Sequence, residues 1–291
     1  WDGENAALNQ HIFRVVPNKD IVDVNYLRHA LKNSLSQMMK FLHGSTMKHI
    51  NRREFLATTI PLPPLDEQKR IASILDKADE IKQDTATIFS MRNKIITSIF
   101  TELFGDAYTN SNFDTIKLSK LIDEDRGISY GVVQRGQNIE DGVPLIRIRD
   151  IINNNFDANN LVKTNKENSD KYKRTILQGG EFLISIRGTV GKLAIVPDHA
   201  RGWNVTREVA VIPFTTEINR TYLLYFLKSQ VAQTKILGDV KGVAQSGINL
   251  RDLRELDVLI PPPELAEKFA IMVESVKSMP VTHELAKMNF F

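Results

Sequence analysis

The chain repeats itself. From Gly44 it reads GSTMKHINRREFLATTIPLPPLDEQKRI, and from Gly242 it reads GVAQSGINLRDLRELDVLIPPPELAEKF. At a constant offset of 198 residues the two stretches share Gly44/Gly242, Ile50-Asn51/Ile248-Asn249, Arg53/Arg251 and Pro63-Pro64/Pro261-Pro262, with Glu54/Asp252, Phe55/Leu253 and Ile60/Val258 as conservative pairs. Two residues of slippage further back, NYLRHALK from Asn25 matches TYLLYFLK from Thr221. A duplication of this kind dictates architecture before any motif is considered. Each copy should end in an amphipathic helix, a glycine-containing loop, a strand-like segment, a Pro-Pro stop and a long helix. The prolines cannot continue a sheet ladder, and they impose an extended connection. Asp66 and Glu67 then place negative charge where a helix start favours it.

The first long helix is expected from about Asp66 to Phe104, ending at Gly105. Ile74, Ile81, Ile88 and Ile95 recur every seven residues, with Ile71, Ala78, Thr85, Arg92 and Ile99 as a companion column. Such a seam predicts helix-on-helix packing against the equivalent helix starting near Glu264. That second helix meets Pro280, which should kink or break it, and it is expected to be truncated relative to the first. The segments divide as residues 1–63, closing a first β-rich domain of which the front is expected to be missing; 64–105, the first helix; 106–262, a complete β-rich domain; and 263–291, the start of a second, shortened helix.

Inside the complete domain, Val143–Ile148, Glu181–Ile186, Lys192–Val196 and Glu208–Ile212 read as strands punctuated by glycine-rich turns, with a helix over Tyr222–Gln233. The fold class is α+β: a β-rich domain with irregular loops, plus long antiparallel coiled-coil helices. The net charge is only +3, so the distribution of charge matters more than its sum. Over residues 185–207, Arg187, Lys192, Arg201 and Arg207 face only Asp198. The stretch 163–174 adds Lys163, Lys166, Lys171, Lys173 and Arg174 against Glu167 and Asp170. Tyr130, Gln134, Thr189, Trp203, Asn204, Gln245 and Ser246 are interleaved with these, and Lys241 stands beside the last two. Arg, Asn and Gln can pair bidentately with base edges, whereas Lys mainly holds phosphates. These residues form the candidate DNA-contact set, although a loop lysine is commonly just solvated and Trp203 is as well explained as half core.

Catalytic signatures fail. Gly188-Thr189-Val190-Gly191-Lys192 lacks the first glycine of a phosphate loop and has Leu193 where Ser or Thr should hold magnesium, so a hairpin turn explains it better. Glu80-Ile81-Lys82 mimics a nuclease fragment but falls on the helix seam. The six histidines show no metalloprotease spacing, and neither a nucleophile elbow nor a dinucleotide-binding glycine loop occurs. The absence of cysteine removes disulfides, cysteine zinc sites and thiol nucleophiles, and it fits a cytoplasmic protein. No apolar run reaches the length of a membrane helix.

The duplicated unit, the stretch IPLPPLDEQKRIASILD from Ile60 to Asp76, and the runs GVPLIRIRDI from Gly142 and GEFLISIRGTVGKLAIV from Gly180 together resemble the specificity subunit of type I restriction-modification enzymes. The resemblance implies target recognition domains that each read half of a split double-stranded DNA site, held apart by antiparallel helices. It also implies partner methyltransferase subunits using S-adenosylmethionine and restriction/translocase subunits using ATP and magnesium. No cofactor is expected in this chain, which lacks the Asn/Asp-Pro-Pro-Tyr methylation motif. The alternatives are a stand-alone DNA-binding regulator of the same fold, an unrecognised nuclease or methyltransferase, and a coiled-coil scaffold.

Overall fold

The computed structural model describes residues 7, 12–39, 50–105, 113–134, 136–152, 156–214, 218–238 and 247–280. Two units divide the chain: Trp1–Ser90 with Val281–Phe291, and Met91–Pro280.

In the first unit, α1 (Val24–Met38) runs parallel to the opening turns of α3 (Leu65–Phe104). Gln68 is fully buried between them. Its Oε1 accepts from Asp23 N at 2.9 Å, and its Nε2 donates to Ile21 O at 3.0 Å and Pro63 O at 2.7 Å. A buried amide is tolerated because its donor and acceptor are both engaged. Tyr26 Oη donates to Pro61 O at 2.9 Å, fastening α1 to the proline segment. Further along, Arg28 and His29 meet Asp76, and Lys32 meets Asp79 at 2.9 Å. Between them, α2 (Arg52–Leu56) begins at Asn51, whose N–H donates to Glu54 at 3.2 Å.

α3 begins and ends close to the expected residues, with Asp66 and Glu67 in its first turn and Gly105 at φ 65° closing it. The expected heptad seam differs. Ile74, Ile81 and Ile95 are 55%, 62% and 40% exposed, and only Ile88 of that column is buried. The packed face instead carries Gln68, Ala72, Asp76 and Asp79 toward α1, and Ile96, Phe100 and Phe104 within the second unit. Steps of four dominate this face. A short helix packed by hydrogen bonds and ion pairs does not require the seven-residue stripe of a sustained coil.

The second unit contains a four-stranded sheet in the order β2 (Ser129–Tyr130), β8 (Val209–Ile212), β5 (Phe182–Ser185), β6 (Leu193–Ile195), all antiparallel neighbours. A three-stranded sheet orders β4 (Val162–Thr164), β3 (Val143–Ile146) and β7 (Asn204–Val205), with β3 and β7 parallel. β1 (Asp114–Lys117) pairs with β9 (Asp257–Ile260). The sequences FLIS and VAVI are continuously apolar or small because both faces of the large sheet are covered. Phe182, Ile184, Ala210 and Ile212 enter one core, while Leu183, Val209 and Val211 enter the other with Ile146, Val205 and Val196.

The first of these cores is capped by helices. α6 (Arg220–Lys228) supplies Tyr222, α9 (Pro263–Ser278) supplies Phe269, and the end of α3 supplies Phe100 and Phe104. Ring centroids lie 4.7 Å apart for Phe104–Tyr222 and 5.5 Å for both Phe100–Phe269 and Phe104–Phe269. Pairs of this geometry add about 0.5–1.5 kcal/mol each beyond their area burial. Arg92 donates to Met279 O while Phe269 lies at Phe104, so α9 runs antiparallel to the last turns of α3. The helix expected over Tyr222–Gln233 is two helices, α6 and α7 (Gln230–Leu237). Ser229 breaks the run and caps the second, accepting from Ala232 N at 3.2 Å. α8 (Leu250–Arg254) follows, capped by Asn249 Oδ1 on Arg251 N. α9 stops before Pro280, and 281–291 lie outside the described residues.

Candidate nucleic-acid interface

Strand register gathers six of the candidate residues at one end of the large sheet. β5 and β8 pair Ser185 with Val209, β2 and β8 pair Tyr130 with Ala210, and β5 and β6 pair Ile184 with Leu193. The residues at these strand ends therefore share one edge: Tyr130 closing β2 and Gln134 after it, Arg187 and Thr189 after β5, Lys192 before β6, and Arg207 before β8. All six are exposed. β3 and β7 run parallel, so Arg147, which follows β3, and Arg149, in the short helix α4 (Ile148–Ile152), lie beside the segment leading from β7 to Arg207.

The β5–β6 hairpin is rigid. Ser185, fully buried, donates through Oγ to Thr189 O at 2.6 Å and accepts from Lys192 N at 2.9 Å. Gly191 N donates to Ser185 O at 2.8 Å. Gly191 adopts φ 80°, in the left-handed region that favours glycine. The stretch with a partial likeness to a phosphate loop is thus a hairpin presenting Arg187 and Thr189. Ile186 N donates to Glu208 O at 2.8 Å, locking the hairpin beside Arg207. On the neighbouring loop, a Cβ on Gly131 would fall 1.9 Å from Val205 O, so this position requires glycine.

Electrostatically the edge is mixed, with cations at its tips. Among the described residues, Arg187 and Lys192 have no carboxylate within ion-pair distance. Arg207 lies 3.2 Å from Glu208. Burial pushes the Glu208 carboxyl upward, but hydrogen bonds from Thr206, its own backbone and Arg207 outweigh it and leave the group below its ordinary value. Arg147 grips the buried Asp150 through two nitrogens, at 2.8 and 3.0 Å, so it serves the fold. Arg149 is 66% exposed and only 3.7 Å from that already engaged carboxylate. Its place on the edge is an addition to the sequence-based set, for which the alternation Ile146-Arg147-Ile148-Arg149 was the available signal.

The second basic group lies alongside β2. α5 (Lys166–Asp170) and the 3-10 turn Lys173–Thr175 expose Lys171, Lys173 and Arg174. Asn168 Nδ2 donates to Gln134 O at 2.6 Å, tying this segment to the edge. At its other end Arg126 donates to Ile176 O at 2.9 Å and pairs with the buried Glu181 at 2.9 Å. Arg201 is exposed in the turn after Asp198–Ala200 and is not joined to the edge by any of these bonds. Trp203 is half-buried, its ring centroid 5.7 Å from that of His199. Asn204 corrects the sequence expectation. It is fully buried and its amide is engaged internally, so it offers no atom to a duplex. Lys241, Gln245 and Ser246 lie outside the described residues, but the loop returns at Gly247-Ile248, where Ile248 N donates to Ile186 O at 2.9 Å beside Arg187.

Cations, amides and hydroxyls on rigid strand ends suit binding rather than bond-making. No group of three or more metal-ligating His, Cys, Asp or Glu side chains occurs among the described residues, nor does a helix long and apolar enough to cross a membrane.

Comparison with known proteins shows the family. The chain is 31% identical over 297 residues to the EcoBI specificity subunit of a type I restriction enzyme from Escherichia coli, covering 94% of this chain and 62% of that one. It is 24% identical to the MjaVIII specificity subunit of Methanocaldococcus jannaschii, covering 96% of this chain and 71% of that protein. The chain thus spans about three fifths of the length of the first of these relatives. The crystal structure of a type I restriction-modification S subunit from M. genitalium shares the fold, with a TM-score of 0.53 at 17% identity over 88% of this chain and 66% of that one. The family described as the type I restriction modification DNA specificity domain matches residues 1–88 and 134–278, and the chain belongs to it.

Proposed function

We propose that this chain recognises sequence in double-stranded DNA as a non-catalytic specificity subunit of a type I restriction-modification enzyme. The observation that carries the reading is the gathering of Tyr130, Gln134, Arg187, Thr189, Lys192 and Arg207 on one rigid edge of the 91–280 unit. Arg187 and Gln134 are the base readers, because each presents a planar donor group able to make paired bonds. Lys171, Lys173, Arg174, Lys192 and Arg201 hold phosphates, which fix register without reading sequence. Lys241, Gln245 and Ser246 complete the set on sequence grounds. Methylation and cleavage belong to methyltransferase and restriction/translocase subunits, which bring S-adenosylmethionine, ATP and magnesium. The complex works in the cytoplasm, and the long helix serves as spacer and docking element.

Binding titrations on cognate and scrambled duplexes at several salt concentrations test this. Arg187→Ala should remove about 1–3 kcal/mol of discrimination at one base pair. Lys171→Ala should weaken all duplexes alike and reduce the salt slope by about 0.9. Equal affinity for every duplex in the wild type would refute sequence recognition.

A further inference from the structure

Resting on the recognition reading above, the geometry points to Asn204 as a positioning residue for DNA binding, acting on a basic segment from within the core. Asn204 is 0% exposed, and each polar atom of its side chain is engaged. Oδ1 accepts from Thr175 Oγ1 at 2.7 Å and from Val205 N at 2.8 Å, while Nδ2 donates to Ser169 Oγ at 3.0 Å and Ser169 O at 3.3 Å. Ser169 and Thr175 are themselves 1% exposed, and they bracket Lys171, Lys173 and Arg174, whose side chains stand in solvent. One amide therefore clamps both ends of the basic loop.

The strand that carries the clamp also reaches the reading edge. Val132 N donates to Val205 O at 2.8 Å, Thr206 N to Ile146 O at 3.0 Å, and Arg207 N to Val132 O at 3.0 Å. Within four residues, the chain from Asn204 to Arg207 joins the phosphate-holding segment, the Val132 loop leading to Gln134, and the edge arginine. A core asparagine serving stability alone has no need to bridge these segments. A positioning residue does, because phosphate contacts help reading only when they are in register with base contacts.

The test is epistasis in the salt dependence of duplex binding by the whole chain. It compares wild type, Asn204→Ala, Thr175→Val, the triple variant Lys171→Ala/Lys173→Ala/Arg174→Ala, and Asn204→Ala added to the triple. Hydrogen exchange over residues 169–175 is followed in parallel. Releasing the clamp should raise exchange there while β5 and β8 stay protected, and should lower the salt slope toward that of the triple variant, by about 0.9 for each phosphate no longer held. The quadruple variant should bind no more weakly than the triple. Thr175→Val, which removes the hydroxyl shared between Asn204 Oδ1 at 2.7 Å and Tyr172 O at 3.0 Å with little change of volume, should shift the slope in the same direction, and Thr175→Ser should keep the wild-type slope. If Asn204→Ala fails to fold, the two Thr175 variants decide alone. A wild-type salt slope in folded clamp variants, or additive losses in the quadruple, overturns the positioning role while leaving DNA recognition intact. No salt-dependent binding by the wild type overturns both.

Discussion

The two copies of the repeat build the same joint from different materials. Tyr26 bonds to Pro61 O at 2.9 Å, and its counterpart Tyr222 bonds to Leu259 O at 2.8 Å. Asn51 and Asn249 start equivalent short helices. Around this shared hydrogen bond the packing diverges. In the first copy, Arg28, His29 and Lys32 face Asp76 and Asp79. In the second, the matching positions are Leu224, Tyr225 and Lys228 against Glu274 and Lys277, and the joint is filled by Phe269, Phe100 and Phe104. Leu223 and Leu227 are fully buried, whereas the matching Leu27 and Leu31 are half-buried. Both copies thus keep one tyrosine hydroxyl on the same backbone carbonyl position, part-buried in the first and buried in the second, while the surroundings are ionic where water reaches them and aromatic where sheets cover them.

The largest expected difference is in the core. Phe269→Ala should cost about 3–5 kcal/mol, and Ile71→Ala at the matching position about 1–2 kcal/mol, measured by denaturant-dependent hydrogen exchange in each unit. Equal losses would mean the first joint is packed as tightly as the second. Next comes the shared bond. Tyr222→Phe leaves a buried carbonyl unsatisfied and should cost about 1–3 kcal/mol, whereas Tyr26→Phe, where solvent can replace the partner, should cost about 1 kcal/mol. The reverse order would break the comparison.

Smaller effects are ionic. Lys228 lies 5.6 Å from the Tyr225 ring centroid, and burial around its ammonium, then the Lys277 charge, lowers its pKa. Lys277→Asp recreates the first copy's Lys32–Asp79 arrangement and should raise the Lys228 pKa in an NMR titration; an unchanged titration would show that the two lysines do not interact. The smallest effect is the pH signature. A hydrogen bond from Lys32 holds Asp79 below its ordinary value, so its contribution is present above the usual carboxylate range and fades as pH falls through the lowered folded value. Lys228, also lowered, binds its proton less tightly in the folded chain, so the second joint should gain stability as pH rises toward the ordinary lysine range. Matching pH profiles in the two units would contradict these assignments.

What could be read from the sequence followed physical periodicity. The ends of α3, the Pro-Pro stops and strands β3, β5, β6 and β8 were legible because caps, prolines and apolar runs are local signals. The isoleucine column of α3 misled because a seven-residue rhythm marks apolar positions and does not say which neighbour arrives. The polar face of Gln68, Asp76 and Asp79 won through specific bonds to α1. At the interface, Arg187 and Lys192 stood out by type, but Asn204 looked like a reader because the sequence does not reveal that Ser169 and Thr175 close over it. Arg149 was hard to single out because its neighbour Arg147 shares its type while serving the fold.

Selection of duplexes from a random library by the purified chain, run side by side with Arg187→Ala, tests the proposed reading edge most directly. Enrichment of one defined sequence by the wild type, with preference lost at a single base pair in the variant, is the expected result. A library that returns unenriched, or the same sequence at undiminished preference from both proteins, would contradict it.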